Sequence, residues 1–217
     1  MKFFRDNGLT ITLLIVTALC IVGMVASGLK VENEMLANHG QPPLSVLAYM
    51  TSGSFISALF ENWESEFLQM ALYVLLTVWL RQRGSSESKK LYEKEEVDAE
   101  PNQSKKDAPW PVRQGGLVLK LYKSSLSIAF FALFLGAFFL HAQGGAEVYS
   151  IEQVHDGKSA VDIWEYMGTS RFWFESLQNW QSEFLAIWCM VVLSIFLRQR
   201  GSPESKPVAA PHTQTGD

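Results

Sequence analysis

The stretch NWESEFLQMALYVLLTVWLRQRGSSESK, Asn62 to Lys89, returns as NWQSEFLAIWCMVVLSIFLRQRGSPESK, Asn179 to Lys206. Working outward, Leu9 to Lys89 aligns with Leu126 to Lys206 without a gap, the register of an internal duplication. Each copy carries an apolar run, Phe67 to Leu80 or Phe184 to Leu197, followed by Arg-Gln-Arg-Gly. Extended back to Phe60 and Leu177, these runs reach about 21 residues, and a hydrocarbon core roughly 30 Å thick needs about 20 residues of helix. Leu9 to Gly28 and Leu126 to about Gln143 supply an equivalent apolar length earlier in each copy. Aromatic residues crowd the starts of the later runs, with Phe55, Phe60 and Trp63 in one copy and Trp173, Phe174 and Trp180 in the other, as in an interfacial belt.

The expected fold is therefore an all-α integral membrane protein, with four transmembrane helices arranged as two parallel two-helix repeats. Leu44 to Ser57 and Val161 to Ser176 mix aromatic, Ser and charged residues, which predicts short interfacial helices in the outer loops. The first repeat covers residues 1–83 and the second 117–200. Between them, 84–116 is rich in Lys, Glu, Ser, Pro and Asp and reads as a flexible cytoplasmic linker. Residues 201–217 read as a disordered cytoplasmic tail, because such compositions bury too little apolar surface to offset the entropy of ordering.

Of 18 Lys and Arg residues, Lys30, Lys158 and Arg171 fall between paired spans, and the others lie at the N-terminus, in the linker or after the last span. The positive-inside rule then puts both termini in the cytoplasm of a cell whose cytoplasmic (inner) membrane holds the chain. Both repeats enter from the same side, so the axis relating them runs along the membrane normal. The basic start Met1 to Arg5 and the small residues Val25 to Ser27 also fit a signal peptide. Against that, the apolar region is too long and its copy at Leu126 lies mid-chain.

A net charge of -4 offers no basic surface for nucleic acid. Cys20 and Cys189 lie in apolar runs without a second thiol nearby, so both read as packing residues. No phosphate loop, nucleophile elbow or zinc-protease motif is present, and the chain is expected to be non-enzymatic, with no cofactor and no metal. Cys20, Gly23 and Ser27 share one helix face, as do Ala129, Ala132 and Gly136, and these faces are expected to let helices approach closely.

The NWESEFL and NWQSEFL segments, the paired LRQRGS(S/P)ESK endings, HGQPP at His39 to Pro43 and YMGTSRFWFES from Tyr166 carry a family likeness. The chain resembles a group of bacterial membrane proteins known as a domain of unknown function. The resemblance implies a membrane fold and no established activity. The second half departs from it at Asp156 to Ala160, where HGQPP has no copy.

The candidate intramembrane polar site is Asn62, Glu66, Asn179 and Glu183. Each glutamate lies 15 residues before the Arg that ends its run, or about 22 Å along a helix, which puts the carboxylate inside the outer boundary. A charge there is costly unless it faces protein or water, and an Asn one turn earlier can donate a hydrogen bond to it. Two readings stay open: a coupling acid in a permeation path, or interhelical glue between the halves. Glu61 and Glu64 extend the acidic cluster, but Gln178 and Gln181 replace them in the second copy, which argues against a cation site. Trp63, Trp180, Arg81, Arg83, Arg198 and Arg200 are the expected interface anchors. The expected function is that of a structural or accessory membrane component acting by helix packing. Its partners are the lipid bilayer and a second copy or another membrane protein, and the alternative is passage of a small ion or solute by way of the Glu pair.

Overall fold

A computed structural model describes residues 2–216, so Met1 and Asp217, at the outer ends of the first repeat and the tail, lie outside the described residues. The chain is all-helical, with 68% helix and no strand among those residues. In chain order the helices are α1 (Lys2–Asp6), α2 (Gly8–Asn38), α3 (Val46–Met50), α4 (Gly53–Trp79), α5 (Trp110–Gln114), α6 (Gly116–Tyr122), α7 (Ser125–His155), α8 (Ile163–Met167) and α9 (Ser170–Phe196). A single 3-10 turn, Glu96–Asp98, stands between α4 and α5.

Three of them, α2, α7 and α9, are long and apolar enough to cross a membrane. Helix α4 has the same length as α9, 27 residues. Its composition is more polar, because Glu64, Gln69 and Tyr73 stand where α9 carries Gln181, Ala186 and Met190. The apolar character of α2 decides its solvent. Leu9, Leu13, Leu14, Ile15, Val16, Leu19 and Val22 are all more than half exposed, and α2 has no buried residue. At about 1.5–3 kcal/mol per large apolar side chain, leaving these in water would forfeit on the order of 10 kcal/mol, as much as the whole stability of a typical domain. In hydrocarbon that term vanishes.

Both 31-residue helices outrun their apolar stretches by about ten residues. In α2 the continuation KVENEMLAN is built from good helix formers, with Lys30 and Glu34 paired at 3.9 Å. Each stops at a glycine in the left-handed region, Gly40 (φ 67°) and Gly157 (φ 75°). There the following N–H reaches back, Gln41 to Leu36 O and Lys158 to Gln153 O, each at 2.9 Å. Short helices do follow, although only Val46–Met50 and Ile163–Met167 form them, because the later parts of both loop stretches already belong to α4 and α9.

The chain forms two compact units, Met1–Phe60 with Leu140–Thr169, and Glu61–Phe139 with Ser170–Asp217. In the first, a side-chain clamp ties each long helix to the loop after it. Asn33 Oδ1 accepts from Leu44 N at 2.6 Å while its amide donates to Leu44 O at 3.3 Å. Ser150 Oγ accepts from Val161 N at 2.8 Å and donates to Val161 O at 2.7 Å. Ser45 and Asp162 then cap α3 and α8. Tyr49 and Tyr166, both buried, fill the space left by Gly28 and Gly145: a Cβ would lie 2.0 Å from the Tyr49 hydroxyl in one case and 2.5 Å from the Tyr166 ring in the other.

The start of α4 also meets α7 at a glycine pair, where a Cβ on Gly144 would come within 2.5 Å of Ser57 N and one on Gly53 within 2.7 Å of Gly144 O. The small-residue stripes expected to mediate close approach do not do so within these units. Cys20, Ser27, Ala129, Ala132 and Gly136 are exposed, and nothing lies within 4 Å of a Cβ on Gly23 or Gly136. Glycine is needed instead where a tyrosine ring or another backbone enters.

Candidate functional site

The second unit holds most of the polar groups that sequence reasoning singled out. Helices α4 and α9 face each other there along a polar seam, built from Glu61, Glu64 and Gln69 on one side and Gln178, Asn179, Trp180 and Glu183 on the other. Glu61 and Glu64, three residues apart, lie on one side of α4, and Asn179 and Glu183, four apart, on one side of α9. Glu61 Oε1 accepts from Asn179 Nδ2 at 2.5 Å, and Gln178 Nε2 lies 3.4 Å from the same oxygen. Glu64, with no exposed surface, accepts from the indole N–H of Trp180 at 3.1 Å. One turn further along, Gln69 Nε2 donates to the backbone oxygen of Glu183 at 2.7 Å. A buried carboxylate is tolerable only with such donors, since stripping one from water without a partner costs several kcal/mol.

An aromatic cluster packs beside the seam. The Trp180 ring meets Phe134 at 6.1 Å and Trp173 at 6.3 Å, both edge to face, and Phe138 meets Phe172 at 5.1 Å. Edge-to-face pairs of this kind add about 0.5–1.5 kcal/mol beyond burial. They also hold the Trp180 indole where its N–H reaches Glu64.

The expected site residues occupy different places. Asn62 and Glu66 are exposed on α4, and Asn179 and Glu183 are half-buried on α9. Glu66 and Glu183 are electrostatic neighbours. Asn179 donates across to Glu61 and also to Glu175 O within its own helix. Glu61 and Glu64, which the sequence raised only as a cation site and argued against, are the acids bonded across the seam. Their donors are Asn179 and Trp180, with Gln178 beside Glu61, whereas Gln181 is exposed and donates to Gln178 O within its own helix. Among the described residues no group of three or more His, Cys, Asp or Glu is placed to hold a metal ion. Cys20 is exposed and Cys189 half-buried, both as free thiols.

Of the expected anchors, Trp63 packs edge to face with Phe67 at 6.3 Å. Arg81 and Arg198 curl back to cap their own helices. Arg81 Nη1 donates to the oxygens of Thr77, Val78 and Leu80, and Arg198 Nη1 to those of Ser194, Ile195 and Leu197, all within 3.3 Å. These are carbonyls a helix end otherwise leaves unsatisfied. Arg83 and Arg200 are exposed.

Beyond the arginines, the tail wraps onto the same end of the unit. The Lys206 ammonium, 1% exposed, donates to the carbonyl oxygens of Gly84, His212 and Gln214, the last at 2.9 Å. Gly84 N donates to Thr215 Oγ1 at 2.9 Å, Ser85 and Ser194 share a hydroxyl bond at 2.9 Å, and Arg198 Nη2 reaches Ala210 O. Burial, and then the Arg198 charge, lower the Lys206 pKa from the usual lysine value.

Fold and seam together define an all-helical protein with three helices long and apolar enough to cross a membrane, in which carboxylates are held by donors from a facing helix. The chain belongs to the family described as Domain of unknown function (DUF6766), whose model matches residues 1–217. No curated protein and no solved structure matches it.

Proposed function

We propose that this chain is a four-span protein of the cytoplasmic membrane, made of two parallel repeats, and that it works as a non-enzymatic structural or accessory component by packing helix against helix. The observation that carries the reading is the seam: Glu61 and Glu64 are bonded to α9, so their polar capacity goes into joining two helices. The repeat reading draws support from matched detail. Helices α2 and α7 have equal lengths, as do α3 and α8, and α4 and α9. The Asn33 and Ser150 clamps, the Gly28 and Gly145 tyrosine pockets and the Arg81 and Arg198 caps stand at corresponding positions. The exposed apolar surface of α2 supports a lipid environment.

Two experiments test this. With Cys20 and Cys189 changed to Ser, Tyr92→Cys is expected to react with an impermeant maleimide only from the cytoplasmic side and Ser159→Cys only from outside. Both on one side would sink the parallel arrangement. Native mass spectrometry of the protein ejected from its own membrane is expected to show a second copy or a partner, whereas a bare monomer would remove the accessory role. The permeation reading keeps one foothold, the exposed Glu66 carboxylate beside Glu183. Proteoliposome flux that survives Glu66→Gln combined with Glu183→Gln would exclude those acids from any conduction.

A further inference from the structure

At the Arg81 end of α4 lies an open cleft of about 950 Å³. Val74 and Val78 form an apolar wall, and beside them Tyr73 donates its hydroxyl to Glu87 Oε2 at 2.8 Å. The facing rim comes from the linker. There the Lys89 ammonium is paired with Asp98, Lys90 N donates to Glu95 Oε1 at 2.6 Å, and Lys94 and Glu96 extend exposed side chains. Gly216 of the tail closes one side, its N–H donating to Ser85 O at 3.0 Å.

We infer that this cleft binds the headgroup of a zwitterionic phospholipid bearing a primary ammonium, with an acyl chain laid along Val74 and Val78. The inference rests on α4 crossing the membrane, as proposed above. The lining carries three lysines (Lys89, Lys90, Lys94) and four carboxylates (Glu87, Glu95, Glu96, Asp98), so a simple anion meets a net negative wall and a simple cation meets the lysines. A phosphate joined to an ammonium satisfies both signs at once. A primary ammonium suits Glu87 and Glu95 because it donates N–H hydrogen bonds. A quaternary one cannot donate, and it is recognised by aromatic cages, whereas this lining has a single aromatic residue, Tyr73. The apolar wall selects a chain-bearing ligand over a soluble one, since Val74 and Val78, four residues apart, lie along one side of the helix.

The test uses the full chain in mild detergent, with phosphatidylethanolamine, phosphatidylcholine and phosphatidylglycerol of matched acyl chains added in turn and retention read by native mass spectrometry. Phosphatidylethanolamine should be retained about tenfold better than either of the others, the ratio expected for one charge-assisted hydrogen bond. Soluble glycerophosphoethanolamine should compete only in large excess. Glu87→Gln, and separately the exposed pair Lys94→Gln with Glu96→Gln, should each abolish the preference, and the exposed pair is placed where folding is not at stake. Equal retention of all three lipids, or a preference for phosphatidylglycerol, overturns the inference, and so does equal competition by the soluble headgroup. Carbonate extraction of the same protein separates the two readings: release from vesicles would defeat the α4 span, while retention without lipid preference would defeat the cleft alone.

Discussion

Glu64 has no contact with solvent, and the Trp180 indole is one of the donors that make its burial tolerable. Trp180→Phe keeps the aromatic packing and deletes the donor. It should cost about 1.5–3 kcal/mol, read as a lowered unfolding temperature in detergent. Glu66→Gln at the exposed position should stay within about 0.5 kcal/mol, and an equal loss at both would deny the seam its special standing. Asp98 titrates in the linker, outside the spans. Its hydrogen bond from the Lys89 ammonium, then one from Glu95 N–H, lower its pKa. A carboxyl whose folded pKa lies below its unfolded one stabilises fully above the ordinary aspartate range, and that contribution fades as pH falls through the lowered value. The Lys89 contact should therefore outlast the protonation of exposed aspartates in acid. The Asp98 carboxyl shift measured by NMR against pH checks this, and titration in the ordinary range would contradict it. The sequence drew attention to Glu66 and Glu183 because they recur. The seam uses Glu61 and Glu64, which do not recur, and bonds them to Asn179 and Trp180, whose counterparts Asn62 and Trp63 do.

Helix α7 is held against the start of α4 by the absence of side chains at Gly144 and Gly53. Gly144→Ala puts a methyl group 2.5 Å from a backbone nitrogen that cannot swing aside, and overpacking of this kind costs about 1–3 kcal/mol. Gly136→Ala, with open space around the new methyl, should be neutral or slightly stabilising through helix propensity. Thermal unfolding of the two variants side by side checks the pair, and equal behaviour would refute the close approach. The tail offers a second test at this scale. Truncation after Pro207 removes Pro211 to Thr215, which wrap the Lys206 ammonium. Lys206 should then react with an amine-directed label as fast as the exposed Lys94, whereas in the full chain it should be strongly protected. Peptide mass spectrometry reads both rates, and a Lys206 already reactive in the full chain would contradict the wrapping. None of this was legible in the tail's composition, because a carbonyl cage is made by backbone, which any sequence supplies.

Across the whole molecule, hydrocarbon supplies what water cannot. The seven exposed apolar residues from Leu9 to Val22 alone account for a term as large as a domain's net stability, so removal of detergent should aggregate the purified chain, and light scattering on dilution below the critical micelle concentration would show it. The helical, membrane-length character was readable from residue order, because apolar run length, good helix formers after Gly28 and glycine stops at Gly40 and Gly157 act through neighbours in the chain. Helix ends were less legible: α2 passes ten residues and α7 twelve beyond their apolar stretches, where propensity rather than hydropathy carries them.

Which polar groups meet was decided by tertiary structure alone. Successive residues turn by about 100° around a helix axis, so Glu64 and Glu66, two positions apart, point to widely separated sides. Only the placement of α9 makes one of them a buried partner of Trp180 and leaves the other exposed. A recurring motif repeats a residue's own helix and carries no information about what stands opposite, which is why the recurrence of Glu66 and Glu183 could point away from the acids bonded across the seam.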